Sequence, residues 1–198
     1  NSASTNLKTI EQAQITSSGS LGAFSTNAVQ LVVARSAHAV VRAGSYVYAI
    51  GGFDGNGTLR SVERATLDGS GWSAFTKLPE AAGASRRALQ KIRSSFAAVV
   101  AGKYLVVLGG QSDNGEPTNT VEAAELDDDG NLVTDFALAT TLVLQGRTGA
   151  SVVRIGDQLY YLGGFDVSGN PIEEVERITT GTDGLLPATP FVDAALDL

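Results

Sequence analysis

The sequence predicts an all-β protein made of repeated units of four antiparallel strands, and its 198 residues contain about three and a half of them. Two segments carry this prediction because each recurs along the chain: one runs from an arginine to a Gly-Gly pair, and the other begins with Val-Glu or Ile-Glu. In addition, no stretch of adequate length places its apolar residues at helical spacing. The best helical candidate, residues 81–92, is interpreted as a long connection between strands with at most one helical turn.

The first segment occurs three times, and in every copy the arginine stands sixteen positions before the first glycine of the pair. Between them lie Val-Val, a glycine and an apolar run, which is the pattern of two strands joined by a tight turn. The turn glycines are Gly44, Gly102 and Gly156. The repeat positions are Arg35, Arg93 and Arg147, followed by the pairs Gly51 and Gly52, Gly109 and Gly110, and Gly163 and Gly164.

The second segment occurs four times and alternates apolar and polar residues before a turn and a large apolar residue, as expected of a second hairpin. Three copies turn on an Asp-Gly pair that begins at Asp68, Asp129 or Asp183 and supplies the positive φ of a tight turn. The repeated acidic positions are Glu11, Glu63, Glu122 and Glu176. Each full unit therefore has two hairpins, or four strands.

The spacing of the units indicates a β-propeller. The Gly-Gly pairs lie 58 and 54 residues apart, and a period of about 50 residues with four strands is that of a propeller blade. The predicted organisation is a flexible lead-in (1–9), a half-blade (10–34) whose second strand starts at Leu21, and blades over about 35–92, 93–146 and 147–198. Trp72 and the aromatic residues Phe24, Phe75 and Phe136 are predicted to pack between blades.

The Gly-Gly pairs, repeated in register, resemble the kelch family of β-propellers, in which such a pair follows the second strand of a blade. Trp72 matches the family's fourth-strand tryptophan, and Leu21, Leu132 and Leu185 stand in comparable places. The third-strand tyrosine of the family is replaced by alanine. The sequence pattern Val-Glu-x-Ala…Gly-x-Leu-x-x-Phe is similar to that of a divergent, mostly bacterial, secreted branch of kelch-like proteins. The resemblance implies a propeller fold and a secreted protein, and it implies no single activity.

The chain contains too few hairpins to close a propeller ring by itself. The glutamate hairpin occurs four times and the arginine hairpin three times, whereas closure needs at least about four complete blades. Two interpretations follow: the chain is part of a larger propeller, or copies of it complete one another by exchanging or abutting half-blades, as a ring or a filament.

Composition narrows the function further. The net charge of -7, from 14 Lys+Arg and 21 Asp+Glu, argues against nucleic acid as a partner. The absence of cysteine excludes disulfides and thiolate metal sites. The chain begins with Asn1 and contains no methionine, so either it was processed or it was cut from something longer. A removed signal peptide is the more economical of the two explanations, and it predicts an extracellular or cell-surface location. No apolar run is long enough to span a bilayer.

The repeated arginines and glutamates have two interpretations: ion pairs that fix neighbouring strands or blades, or a ring of charge around the channel for an anionic or sugar ligand. The loops after the Gly-Gly pairs are rich in Asp and Asn, which favour turns. They also offer oxygen ligands for calcium, and the candidate positions are Asp54, Asn56, Asp113 and Asp166. Asn56 also begins a glycosylation sequon.

No constellation of catalytic residues is found in the sequence. His38, the one histidine, stands where the other copies have Phe96 and Ala150, so it is predicted to be packed within a hairpin. The sequence therefore predicts a non-enzymatic extracellular subunit without a cofactor, which assembles with copies of itself. The alternative is a module of a larger secreted protein that binds carbohydrate or protein.

Overall fold

A computed structural model describes residues 6–80 and 87–194, and these residues form strands and loops only. The predicted all-β fold class, with sheets of four antiparallel strands, is confirmed. No helix long and apolar enough to cross a membrane occurs in these two ranges. The outer parts of the predicted lead-in (1–5) and of the third blade (195–198), and the predicted connection over 81–86, lie outside the described residues.

The strands group into a half-blade and three blades. The half-blade pairs β1 (Leu7–Gln12) with β2 (Ser25–Arg35). Blade 1 contains β3 (Ala39–Ala43), β4 (Tyr46–Ile50), β5 (Val62–Asp68), β6 (Gly71–Trp72) and β7 (Thr76–Lys77). Blade 2 contains β8 (Ala97–Ala101), β9 (Tyr104–Leu108), β10 (Thr120–Glu125) and β11 (Ala137–Leu142). Blade 3 contains β12 (Ser151–Ile155), β13 (Gln158–Leu162), β14 (Val175–Thr179) and β15 (Val192–Asp193). In blade 1 the fourth strand is interrupted, so β6 and β7 both pair with β5.

The register shows that the half-blade is the third and fourth strands of a blade. In every blade, the repeated glutamate of the third strand pairs in the β-ladder with the equivalent residue of the fourth strand. The pairs are Glu11 with Thr26, Glu63 with Lys77, Glu122 with Leu138, and Glu176 with Asp193. The half-blade therefore has no first and second strands of its own within the described ranges.

Two boundaries of the half-blade differ from the sequence prediction. The first strand begins at Leu7 rather than after a nine-residue lead-in, because Leu7 pairs with Arg35 at the far end of β2. The second strand begins at Ser25, since Leu21 makes only an isolated bridge with Ile15 across the turn. Ile15 and Leu21 thus lie outside the regular ladder of β1 and β2.

The core lies between neighbouring blades rather than within one. Side chains alternate along a strand, so Tyr48 and Ile50 of β4 face blade 2, where they join Leu105 and Val107 of β9 in one buried cluster. A second cluster lies between blades 2 and 3. A third and smaller one lies between the half-blade and blade 1. Each blade therefore depends on its neighbours for burial of its apolar faces.

The hairpin turns of successive blades also touch. Gly44, between β3 and β4, lies so close to the Asp129–Gly130 turn of blade 2 that a Cβ would stand 2.1 Å from the Asp129 carbonyl oxygen. Gly102 meets the Asp183 turn of blade 3 in the same way, at 2.0 Å. Both glycines have positive φ, so backbone conformation and space require glycine at these two positions.

Candidate protein-binding interface

The three arginines that begin the blades form buried ion pairs with third-strand glutamates. Arg93 Nη2 lies 2.6 Å from Glu122 Oε1, and both side chains are fully buried. Arg93 Nη1 also donates to the carbonyl oxygens of Gly109, at 2.7 Å, and of Thr120, at 3.2 Å. The same set of bonds links Arg35 with Glu63, Gly51 and Ser61, and Arg147 with Glu176, Gly163 and Glu174.

Each buried carboxylate also binds the neighbouring blade. Glu122 accepts backbone N–H bonds from Gln90, at 2.6 Å, and from Lys91, at 3.1 Å, which lie on the connection that enters blade 2. Glu63 accepts equivalent bonds from Val32 and Val33, and Glu176 from Leu144 and Gln145. These pairs are enclosed between strands of two blades, so they do not form a ring of charge open to a ligand.

Glu11 departs from this arrangement, although it shares the register of the other three glutamates. Its side chain is exposed, and no ion pair joins it to another described residue. The reason lies in the topology, because the hairpin that would bring an arginine to β1 is the part that the half-blade lacks. The prediction of four equivalent structural glutamates is therefore corrected: three of them form buried ion pairs, and Glu11 does not.

The calcium candidates lie in three loops, and Asp54 and Asp166 bind the turns to which they belong. Asp54 Oδ1 accepts N–H bonds from Asn56, at 2.8 Å, and from Gly57, at 3.0 Å, and these bonds hold the pKa of its carboxyl below the usual value. Asp166 is held in the same way, chiefly by the side chain and then the backbone of Asn170. Asp113 accepts an N–H bond from Thr58 of the loop in blade 1, at 3.1 Å. Residues 6–80 and 87–194 contain no group of three or more acidic or histidine side chains placed to share an ion.

His38 lies beside the start of blade 1, with its Nδ1 buried and without a hydrogen-bond partner among the described atoms. Burial, and secondly the charge of Arg35, lower the pKa of its imidazole. In blade 2 the same position holds Phe96, whose ring packs against Gly51 of the preceding blade. His38 therefore faces the place where a preceding glycine pair would lie.

One open end of the array is the outer face of blade 3. Ile155 is 62% exposed, whereas Ala43, its equivalent in blade 1, is 3% exposed because blade 2 covers it. Val153 is likewise exposed, while the equivalent Val41 is buried. Gly156, the turn glycine of this blade, has no atom within 4 Å of an added Cβ. The described chain therefore leaves this face uncovered.

The other open end is the outer face of the half-blade. Phe24 is 64% exposed, whereas Phe136, at the same place before the fourth strand of blade 2, is completely buried. Ile15 and Leu21 are also exposed, although the corresponding leucines of blade 2 are buried. The prediction that Phe24 packs between blades is thus wrong for this chain by itself, because no described residue covers this face.

Two details of the repeats were missed in the sequence. Phe191 is the fourth member of the series that includes Phe24, Phe75 and Phe136, because each of them lies two residues before the partner of a repeated glutamate. In blade 3 the residue packed against the core is Leu186, while the predicted Leu185 is exposed. The Gly184 turn places Leu186, rather than Leu185, at the position that Leu132 has after Gly130.

Known proteins share this architecture. Residues 34–64 match the family model described as Kelch motif. A stretch of 128 residues, 65% of the chain, is 31% identical to Kelch-like protein 35 of Mus musculus and covers 19% of that protein. The solved structure of YjhT matches with a TM-score of 0.63 at 15% identity, over 83% of this chain and 48% of that one. The chain therefore spans less than a fifth of the curated relative and just under half of the solved structure.

Proposed function

Because the chain consists of kelch-type β-propeller blades with two uncovered ends, we propose that it is a non-enzymatic structural module that assembles head to tail with copies of itself. The outer face of blade 3 in one copy packs on the outer face of the half-blade in the next. Such a contact joins two different surfaces, so it produces a ring or a filament rather than a symmetric pair. The proposal places this assembly outside the cell.

The observation that carries this proposal is that the open face of blade 3 repeats the covered face of blade 1. Four residues are the same in both, namely Val153, Tyr160, Val175 and Arg177 in blade 3 and Val41, Tyr48, Val62 and Arg64 in blade 1. In blade 2 the corresponding positions include neither a tyrosine nor an arginine. The open face thus has the chemistry of a face that already binds a blade within this chain.

Blade 1 shows what such a face binds. The Tyr48 hydroxyl donates to the carbonyl oxygen of Gly130, at 2.8 Å, and accepts the backbone N–H of Leu132, at 3.1 Å. Arg64 donates to the side-chain oxygen of Asn131. The ligand of this face is therefore the turn between the third and fourth strands of the next blade, at Gly-Asn-Leu.

The half-blade presents the same kind of turn to solvent, at Gly19-Ser-Leu21. The Thr16 N–H bonds the Ser20 carbonyl oxygen at 2.9 Å, just as the Asp127 N–H bonds that of Asn131 at 2.9 Å. Gly19 has a φ of 81°, close to the 86° of Gly130. Docking on Tyr160 and Arg177 would satisfy this turn and bury the exposed Ile15, Leu21 and Phe24, which is favourable by the hydrophobic effect.

The test is sedimentation velocity of purified variants. Ile155→Asp places a charge on the open face of blade 3, and Phe24→Asp places one on the open face of the half-blade. Both residues are exposed in the single chain, so folding should be preserved. The wild-type chain is expected to form species larger than the monomer, whereas each variant alone stays monomeric. A mixture of the two variants restores a one-to-one dimer, because each supplies the end that the other lacks.

Val167→Asp is the matched control, since Val167 is an exposed apolar residue on the loop between β13 and β14 and belongs to no strand of either open face. This variant is expected to assemble as the wild type does. A wild-type chain that stays monomeric at all concentrations, or two variants that do not combine when mixed, would contradict the proposal.

The lengths of the relatives favour a second candidate, a protein- or carbohydrate-binding module of a larger propeller. The chain spans only 19% of Kelch-like protein 35 and 48% of YjhT, so blades from the same polypeptide would cover both ends. The loops after the Gly-Gly pairs would then form the binding surface, with calcium as a further candidate ligand there. Glycan-array binding by an Ile155→Asp chain, abolished by Asp54→Ala or Asp166→Ala, would support this candidate over self-assembly.

A further inference from the structure

An arginine bridges blades 1 and 2 near their outer strands, and it does so through an aromatic ring and a turn. The Cζ atom of Arg64 lies 4.6 Å from the centroid of the Tyr46 ring, which is the geometry of a cation–π contact. Arg64 also donates a hydrogen bond to the side-chain oxygen of Asn131, in the turn between the third and fourth strands of blade 2. The space between these two blades is therefore filled by a guanidinium group.

The equivalent site between blades 2 and 3 keeps the aromatic ring but has no arginine. Tyr104 begins β9 at the position that the tyrosine of blade 1 has in β4, and Ala123 stands in place of Arg64. In the turn of blade 3, Leu185 follows the turn glycine where blade 2 has Asn131. Both hydrogen-bonding partners of the first site are thus replaced by apolar residues.

This exchange leaves an open cleft of about 430 Å³ between blade 2 and the turn of blade 3. Tyr104 and Ala123 line it, together with Ala137 of β11 and Leu186 of the turn. Leu185 also lines the cleft but does not fill it, since 52% of this residue remains exposed. The site that Arg64 occupies between blades 1 and 2 is therefore vacant one blade further along the chain.

A carboxylate lies beside the aromatic ring of the cleft. Glu125 lines the cleft and pairs with Tyr104 in the β-ladder, where blade 1 has the uncharged Thr66. Burial raises the pKa of Tyr104, and the negative charges of Glu125 and then Asp183 raise it further, so both carboxylates act on this phenol. The vacant site thus has the charge that attracts a cation.

Neighbouring cations of the chain pair with other carboxylates. Lys103 Nζ lies 3.6 Å from Asp128, in the turn of its own blade. Arg87 binds Asp135, a further residue of the cleft, at 2.5 Å. No ion pair joins Glu125 to another residue within the ranges 6–80 and 87–194. Glu125 is therefore available to a cation from outside.

We propose that this cleft binds the side chain of an arginine on a partner polypeptide. The guanidinium stacks on the ring of Tyr104 and donates to Glu125, while the aliphatic stem lies against Ala123, Ala137 and Leu186. A guanidinium suits this site better than an ammonium group, because its plane stacks on a ring while its edge bonds a carboxylate. The net charge of -7 favours the approach of such a partner.

Exposed apolar side chains beside the cleft favour a polypeptide over free arginine. Leu138 is 46% exposed and Leu185 is 52% exposed, and both belong to the lining. Apolar residues that flank an arginine in a peptide can cover these two leucines, which is favourable by the hydrophobic effect. Free arginine would instead bring its charged amino and carboxyl groups to this place. The cleft uses neither the outer face of blade 3 nor that of the half-blade, so binding does not depend on head-to-tail assembly.

The test is fluorescence anisotropy of the labelled peptide fluorescein-Gly-Leu-Arg-Leu-Gly-amide with the Ile155→Asp chain. This variant keeps every residue of the cleft and is expected to be monomeric, so a failure of self-assembly does not affect the result. We expect saturable binding. Citrulline in place of the arginine has nearly the same shape without the charge, and it should weaken binding about tenfold or more.

Two changes in the chain test the site itself. Glu125→Gln should weaken peptide binding about tenfold, because a charge-assisted hydrogen bond is lost. Ala123→Arg should prevent binding, since its own guanidinium fills the cleft as Arg64 fills the equivalent site. Urea unfolding should show that this second variant is at least as stable as its parent.

Glu116→Gln is the matched control, because Glu116 is an exposed glutamate on the loop between β9 and β10 and the net charge changes by the same amount. It should leave binding unchanged. Absence of peptide binding, equal binding of the citrulline peptide, or equal loss in Glu125→Gln and Glu116→Gln would each overturn the proposal. Free L-arginine that competes as well as the unlabelled peptide would overturn the assignment to a polypeptide.

Discussion

The hydroxyl of Tyr48 donates a hydrogen bond of 2.8 Å to the carbonyl oxygen of Gly130 in the next blade. The hydroxyl oxygen of Tyr48 also accepts the backbone N–H of Leu132, at 3.1 Å. Burial raises the pKa of Tyr48, so this hydroxyl keeps its proton and both bonds across the usual pH range. One side chain thus satisfies two backbone groups at the contact between blades.

Replacing this tyrosine should destabilise the fold. We expect Tyr48→Phe to lower the free energy of unfolding by about 1–3 kcal/mol, because it leaves two buried backbone groups without partners. Tyr160→Phe, at the equivalent position of the open face, should leave stability of the monomer nearly unchanged and weaken assembly. Urea unfolding and sedimentation velocity measure the two effects. Equal destabilisation by both variants would show that Tyr48 does not depend on its neighbouring blade.

Breaking one buried ion pair should have a larger effect. Arg93→Ala leaves the carboxylate of Glu122 buried without its cation, and we expect the loss of about 3–5 kcal/mol in the free energy of unfolding. Lys103→Ala is the control, since the ion pair of Lys103 with Asp128 is exposed and 3.6 Å long. That variant should lose no more than about 1 kcal/mol. Chemical denaturation of both variants in one buffer decides whether burial makes the difference.

Alanine substitutions at two turn glycines distinguish the cost of backbone strain from the cost of a close contact between blades. Gly102 and Gly156 have similar φ values of 55° and 64°, but only Gly102 has neighbouring atoms, with the Asp183 carbonyl oxygen 2.0 Å from an added Cβ. Each Gly→Ala change should cost about 1–2 kcal/mol from the left-handed conformation. Gly102→Ala should cost about 1–3 kcal/mol more, because two turns must move apart. Thermal or urea unfolding of the pair gives this difference directly, and similar losses would argue against a tight contact at Gly102.

The stability of the fold should depend on the protonation of His38. Its folded-state pKa is lowered by burial and then by Arg35, so the unfolded chain binds the proton more readily than the folded chain. Stability is therefore fully present above pH 6.5, the ordinary pKa of histidine, and falls as the pH drops through and below this value. Unfolding measured across this range should show the slope.

The control for this prediction is His38→Phe, which places in blade 1 the residue that blade 2 has at Phe96. This variant has no imidazole, so the component of the slope near pH 6.5 should disappear. A slope of the same size in the variant would assign the pH dependence to other groups.

The sequence by itself determined the blades, because a strand alternates with a period of two and a hairpin needs its glycine or Asp-Gly turn wherever it occurs. Repetition of Arg93 and Glu122 in register therefore located the strands and indicated an ion pair. The tertiary structure alone decided which repeated positions are equivalent in environment. Glu11 and Phe24 are the same residue types at the same repeat positions as Glu122 and Phe136, yet they are exposed. Burial depends on a neighbouring blade, which the local sequence does not describe. The physical reason is that the core of this fold lies between units, so the first and last units have the pattern of a buried residue without the neighbour that buries it.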